Sequence, residues 1–289
     1  MLALKPKQES AAIRELVHRC NELPLHQSIY GDDHVQVLDE RVGAWRRLMK
    51  THRNDPIGFE MSPFEVWSFP MVLAQFIFAS PYKTIGISGA PGSGKSTLAR
   101  AIKECMLAFQ PGNKCLVFSL DDFYLSKSDR LSKGLEFRAQ PGSHNLAQAE
   151  RVLAEFLAGE TTIEMPRFDS RTDDTSTSQQ LDGPFSKMLL EGMFIGLHSN
   201  GYCRISDQIQ FLIFLECPIS LAKRRRFERE SRMKGQLDSE GGFTAAQMTR
   251  FWAEVLEPGT RSLVNPIKSN ADLTIHLDSN GWVTESYYR

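Results

Sequence analysis

The residues best suited to chemistry run Gly89-Ala90-Pro91-Gly92-Ser93-Gly94-Lys95-Ser96-Thr97. Gly89 and Gly94, followed at once by Lys95 and Ser96, complete the spacing Gly-x-x-x-x-Gly-Lys-Ser, which cradles phosphates. Without Cβ atoms in the way, successive backbone N–H groups can turn inward around phosphate oxygens. A helix starting at the end of the loop adds its positive dipole end to the same anion. Lys95 would then meet the β- and γ-phosphates, and the Ser96 hydroxyl a Mg²⁺ ion. The ligand expected is ATP rather than GTP, because no Asn-Lys-x-Asp segment that would read guanine occurs.

Two carboxylates follow at places where strands should end. Asp121 opens Asp121-Asp122-Phe123-Tyr124, where it can accept the proton of a substrate hydroxyl or hold Mg²⁺ through water. Glu191 closes Leu189-Leu190-Glu191, where it can order Mg²⁺ or simply cap the next turn. Arg138, His144, Arg167 and Asp169 are candidates for holding a second substrate, and Tyr124 for packing against it. An arginine fork suits a carboxylate or phosphate, and Asp169 suits sugar-like hydroxyls. The densest basic run is Lys223-Arg224-Arg225-Arg226-Phe227-Glu228-Arg229-Glu230. Its interleaved glutamates argue against nucleic acid and leave a solvated helix face or a lid over the phosphates. Arg225 and Arg229, four apart, would share one face of that lid.

Gly89 to Ser96 followed by Asp121-Asp122-Phe123-Tyr124 resembles the phosphoribulokinase/uridine kinase group of P-loop kinases. Pro141-Gly142-Ser143-His144-Asn145-Leu146 and Met165-Pro166-Arg167-Phe168-Asp169 resemble substrate-side segments of D-glycerate 3-kinases. Leu189-Leu190-Glu191-Gly192 and the Thr244-Ala245-Ala246-Gln247-Met248 run resemble two further segments of that family. The resemblance spans about residues 83–277. It implies a phosphotransferase that moves the γ-phosphate of ATP to an alcohol group, with Asp121 as the base and glycerate or a related sugar acid as acceptor. Thr172-Asp173-Asp174-Thr175-Ser176 stands where those kinases carry a Gly-Arg-Gly-Asp-Arg-like stretch, and Met193 where they carry Trp. Both departures lie near the acceptor, which leaves nucleoside or pantothenate-like acceptors open.

The elements that must position these groups alternate in type. Thr84-Ile85-Gly86-Ile87-Ser88, Cys115 to Leu120, Lys187 to Leu190, Gln210 to Leu215 and Asp272 to Leu277 read as strands. They are nearly continuous in apolar residues and are separated by helical patterns, one of them from Lys95 to about Phe109. The fold expected is α/β: a P-loop NTPase with a doubly wound, mainly parallel sheet and helices on both faces. Residues 170–184, rich in Ser, Thr and Asp, read as a mobile loop. Residues 1–80 read as an N-terminal helical extension to a kinase domain at 81–289. Ile13, Leu16, Val17 and Cys20, then Leu38, Val42, Trp45, Leu48 and Met49, recur at helical spacing, and Ser62-Pro63-Phe64-Glu65 is a helix start.

Bulk composition closes off other classes. The chain has 289 residues, 41% hydrophobic and 24% charged, which suits a sizeable core. Lys and Arg number 34 against 35 Asp and Glu, so no basic excess points to nucleic acid. Five scattered cysteines form no disulfide or zinc pattern, and no secretory signal or membrane span is apparent, so a cytoplasmic protein is expected. The apolar stretch from Phe64 to Ala79 is broken by Glu65, Ser68, Pro70 and Gln75. A different class of reading is a nucleotide-binding switch or scaffold that works through the helical region 1–80.

Overall fold

A computed structural model describes residues 35–51, 63–235 and 243–289. The helix expected around Ile13 to Cys20 and the Ser62 cap lie outside the described residues. In chain order the elements begin with helices α1 (Val35–Thr51) and α2 (Pro63–Ala79), strand β1 (Thr84–Gly89), helix α3 (Lys95–Phe109) and strand β2 (Lys114–Ser119). A 3-10 turn (Leu120–Phe123) leads to α4 (Lys127–Ser132), α5 (Leu146–Ala158), the hairpin of β3 (Thr162–Asp169) and β4 (Asp174–Asp182), and then β5 (Phe185–Glu191). The chain continues through α6 (Cys203–Ser206), β6 (Phe211–Glu216), α7 (Ile219–Gly235) and α8 (Ala245–Phe251). Further helical turns reach Asn270 before β7 (Leu273–Leu277) and β8 (Val283–Tyr288).

The sheet runs β2-β5-β1-β6-β7-β8, parallel except for β8, which pairs antiparallel with β7 at the edge. Strand β1 is central, with Ile85 opposite Leu189 of β5 and Phe211 of β6. All six of its residues are buried. That double coverage explains why the strands read as apolar runs rather than as alternating patterns. Ile85, Ile87, Ile213 and Leu273 face a layer made of α1, α2 and α3. Met188, Leu190, Leu212 and Phe214 face the opposite core, which includes α5 and α8.

Helix α2 is apolar almost all round, and Trp67, Met71, Val72, Leu73, Ala74 and Ile77 are fully buried. Arg41 of α1 donates from Nε to Gln75 Oε1 of α2 at 2.6 Å, while Arg47 bonds the carbonyls of Ala108 and Phe109. Those carbonyls end α3 and have no partner within the helix, so Arg47 caps it from outside. Among the described residues no helix is long and apolar enough to cross a membrane.

Two segments differ from expectation. Residues 174–182, read as part of a loop, form β4 and pair with β3 from Asp169↔Asp174 to Thr162↔Asp182. Strand β4 is mostly exposed and buries almost nothing, so it carries no hydrophobic alternation to read. Its partner bulges between Met165 and Arg167, around Pro166, which has no N–H to offer the ladder. Strand β8, also largely exposed, was likewise unmarked by pattern.

Candidate active site

The phosphate loop joins the carboxyl end of β1 to the start of α3, as the spacing requires. Two of its glycines are dictated by close approach. A Cβ at Gly89 would lie 2.4 Å from the carbonyl oxygen of Leu215, and one at Gly92 would lie 2.3 Å from that of Ala222. The loop is therefore wedged between β6 and the first turn of α7. Lys95 donates to the Ala90 carbonyl at 2.8 Å. Burial pushes the Lys95 ammonium below its ordinary range, opposed by the negative charges of Glu191 and Asp121.

Glu191, at the end of β5, is buried and accepts from two hydroxyls through one oxygen, Ser96 at 2.9 Å and Ser119 at 2.6 Å. Burial raises its carboxyl above the usual range, as does repulsion from Asp121, while Lys95 and the two hydroxyls pull it back. The Ser96 hydroxyl and Glu191 carboxylate form a hard-oxygen pair beside the phosphate loop, a donor set that suits Mg²⁺. Among the described residues no cluster of three or more His, Cys, Asp and Glu could hold a metal. A cation here would therefore draw most of its ligands from phosphate oxygens and water.

The turn after β2 sends its two aspartates in different directions. Asp121 is exposed at the mouth of the site. Asp122 turns toward the hairpin, where it accepts from Arg167 Nη1 at 2.8 Å and from the Phe168 amide at 3.3 Å. Burial raises the Asp122 carboxyl, and Arg167 opposes that rise. Arg167 also bonds Gln179 at 2.7 Å, so its fork is already engaged in anchoring the hairpin. Asp169 is held within the hairpin tip by Arg171, Nη2 to Oδ2 at 2.7 Å.

Residues 141–145 run antiparallel to the turn, with Leu125 bonded to Ser143 at 2.9 Å and Asn145 to Phe123 at 2.7 Å. This pairing lays His144 on Tyr124, ring centroids 4.2 Å apart and planes tilted by 27°. The Tyr124 phenol hydrogen bonds Asp121; burial, and then that negative charge, raise it well above its ordinary range. His144 shares a 2.7 Å hydrogen bond between Nδ1 and the Tyr202 hydroxyl. Burial pushes its imidazole down to about 4, so it is neutral at physiological pH.

A chain of buried ion pairs forms the far wall. Asp173, at the hairpin tip, bonds Arg130 through one oxygen and Arg138 through the other. Arg138 packs among the rings of Phe168, Phe243 and Phe251, its guanidinium carbon 5.0 Å from the Phe243 centroid. Glu230 of α7 lies 2.7 Å from Arg226 and 3.9 Å from Arg138. Burial lowers Arg226 to about 10, helped by Arg138 and opposed by Glu230.

Helix α7 thus presents Ala222, Arg226 and Glu230 to the site. Of Arg225 and Arg229, the pair expected to form the lid face, the first stands at the phosphate loop, where a Cβ on Gly94 would meet Arg225 Nη1 at 4.0 Å. Arg225 is half-buried beside the phosphate loop and donates to the Asn280 carbonyl at 3.5 Å, and Arg229 is exposed. Sequence reasoning missed Ser119, Arg130, Asp173, Tyr202, Arg226 and Glu230. For Arg226 and Glu230 a signal existed, since they are four apart and of opposite charge.

Residues 84–280 match the model of the Phosphoribulokinase / Uridine kinase family. The chain belongs to this family. It is accordingly an ATP-dependent kinase and a phosphotransferase. It is 24% identical over 229 residues to a pantothenate kinase of Limosilactobacillus reuteri subsp. reuteri, covering 72% of this chain and 73% of that one. It is 28% identical over 195 residues to a uridine kinase of Alkaliphilus metalliredigens, covering 66% of this chain and 85% of the relative. In fold it is similar to the D-glycerate 3-kinase of Cryptococcus neoformans var. grubii, with a TM-score of 0.56, 19% identity and coverage of 76% and 96% of the two chains. The YGR205w protein gives a TM-score of 0.57, 20% identity and coverage of 75% and 94%.

Proposed function

We propose that this family member transfers the γ-phosphate of ATP to a hydroxyl of a small metabolite, with Asp121 as the base. D-glycerate and related sugar acids are the first acceptors to test, because the segments around His144 and Arg167 resemble those of glycerate kinases. Nucleoside and pantothenate-like acceptors come next, after the named relatives. The observation that carries the reading is where Asp121 stands. Its charge acts on Lys95 and Glu191 on one side, and on Tyr124, His144 and Tyr202 on the other. A carboxylate between a phosphate cradle and a buried aromatic wall is placed to join two substrates.

In this reading the loop amides and Lys95 hold the phosphates, and Ser96 and Glu191 hold Mg²⁺, which supplies charge neutralisation when bound. Tyr124 hydrogen bonds the Asp121 carboxylate and so fixes its orientation, leaving a free oxygen to accept the hydroxyl proton. The acceptor oxygen bonds to the γ-phosphorus as the bond to the bridging oxygen breaks, and the leaving charge passes to the β-phosphate. Arg226 faces the charge spread over the moving group. The helix that carries it, α7, covers the site against water, which would otherwise compete as acceptor.

The test is Asp121→Asn. Removing the base should lower transfer by about 10²- to 10⁴-fold while leaving the KM for ATP near its original value. Turnover equal to that of the unaltered chain would refute the role given to Asp121.

A further inference from the structure

Helix α7 holds its inward arginine by a contact that is close but incomplete. Arg226 Nη2 lies 2.7 Å from Glu230 Oε1, and Arg138 Nη2 lies 3.9 Å from the same oxygen. Among the described residues neither oxygen of Glu230 has a hydrogen-bond partner, and neither does Arg226 Nε or Arg138 Nη2. Two guanidinium groups therefore converge on one carboxylate that is aligned with neither. The side chains of Glu230 and Arg138 are each 4% exposed and that of Arg226 is 11% exposed, so water does little to make up the shortfall.

The two arginines differ in what else holds them. Arg138 is pinned, with Nη1 on Asp173 and its guanidinium among the rings of Phe168, Phe243 and Phe251. Arg226 has Glu230 as its one ion-pair partner among the described residues, and its charge acts on Lys95 at the phosphate loop. The cluster is also short of negative charge, since Arg130, Arg138 and Arg226 meet only Asp173 and Glu230. A phosphate on the loop supplies what is missing, and of the three arginines Arg226 is the one whose charge reaches that loop. We infer that Glu230 is a positioning residue that exchanges partners: it holds Arg226 while the phosphate loop is empty, and passes to Arg138 when the γ-phosphate draws Arg226 away. Closing the 3.9 Å gap to a hydrogen bond of about 2.9 Å takes roughly 1 Å of movement, which a small side-chain rotation supplies. Arg138 then acts through Glu230 and Arg226 without touching the nucleotide. This rests on the reading of Arg226 given above and extends it to how the site tells ATP from ADP.

The experiment needs no acceptor. Dissociation constants of the β,γ-imido analogue of ATP and of ADP are measured by titration calorimetry on the full chain with Mg²⁺. Glu230→Gln removes the charge that holds Arg226, so the analogue should bind about tenfold more tightly, with ADP changed by less than about twofold. Arg138→Lys keeps a positive charge for Asp173 but offers one ammonium in place of two arms. Glu230 then has no second partner to pass to, and the analogue should bind about tenfold more weakly. In the double variant nothing is left to exchange, so its dissociation constants should equal those of Glu230→Gln. A merely structural role would weaken both nucleotides alike, and that outcome overturns the inference. So does a Glu230→Gln chain whose preference for the analogue over ADP is unchanged or reduced. If Arg226→Met lowers that preference in the same series, the transfer reading stands without the exchange. If Arg226→Met leaves the preference unchanged, the role given to Arg226 fails and this inference fails with it. Should one of the two single variants fail to fold, the other makes the test alone, since they shift the preference in opposite directions.

Discussion

Replacing Arg226 with Met separates what this residue does for transfer from what it does for stability. Its side chain is 11% exposed and lies 2.7 Å from Glu230, itself 4% exposed. Even with its pKa lowered to about 10 it is fully charged at neutral pH. An arginine that neutralises the moving phosphoryl group contributes about 10³- to 10⁵-fold to kcat in enzymes of this chemistry, so Arg226→Met should lose at least about 10³-fold. The same change strips Glu230 of its nearest cation. Breaking a buried pair from one side costs about 3–5 kcal/mol, and Arg138 at 3.9 Å should return part of that. Adding Glu230→Gln removes the orphaned charge. The double variant should therefore recover most of the stability, read as a urea midpoint, and none of the activity, read as acceptor-dependent ADP release. A double variant with normal kcat would refute the reasoning. So would an Arg229→Met variant that loses as much as Arg226→Met, since Arg229 is exposed.

Two further predictions concern the scaffold. The folded pKa of His144 is depressed to about 4 against 6.5 in the unfolded chain, so the unfolded chain takes up the proton first as pH falls. The stability contributed is complete above pH 6.5 and is lost between 6.5 and 4, by roughly 3 kcal/mol. His144→Phe should flatten that part of a plot of urea midpoint against pH, and an unchanged slope would exclude His144 as its source. Deleting residues 1–80 should expose the sheet face that α2 covers. At roughly 1.5–3 kcal/mol for each large side chain such as Trp67, Met71, Leu73 and Ile77, the loss rivals the whole stability of a typical domain. The shortened chain should aggregate on size-exclusion chromatography, and a monomeric fragment that binds ATP would contradict this.

The phosphate loop and the parallel strands were legible because one physical demand fixes each. Phosphate binding fixes the spacing from Gly89 to Ser96, and burial on two faces fixes the apolar runs. The hairpin was not legible, because β4 is held by backbone pairing and leaves no side-chain period. Its tip then makes the two contacts of Asp173 with Arg130 and Arg138, partners 43 and 35 positions away. No local spacing encodes such a pair. The roles of Arg167 and Arg138 also divided in a way that residue type could not foretell. One fork is taken up by Asp122 and Gln179, while the other bonds Asp173 and turns its second arm to Glu230 at 3.9 Å.

Helix α7 was legible as a helix, but not its phase. Four consecutive basic residues, Lys223 to Arg226, offer every face of a turn, and charge alone cannot choose among them. The choice is made by Ala222, whose carbonyl lies where a Cβ on Gly92 would sit. With that contact set, positions four and eight residues further on must face inward as well, because 3.6 residues make a turn. Those positions are Arg226 and Glu230. The glycine that lets the loop turn therefore also sets which residues of α7 come within electrostatic reach of Lys95 and Asp121, Arg226 among them. A larger residue at 92 would turn α7 or push it away and carry Arg226 from Asp121. Loop and helix are in this sense coupled: the close approach of Gly92 to the Ala222 carbonyl fixes where α7 sits against the phosphate loop, and with it where Arg226 stands relative to Lys95 and Asp121.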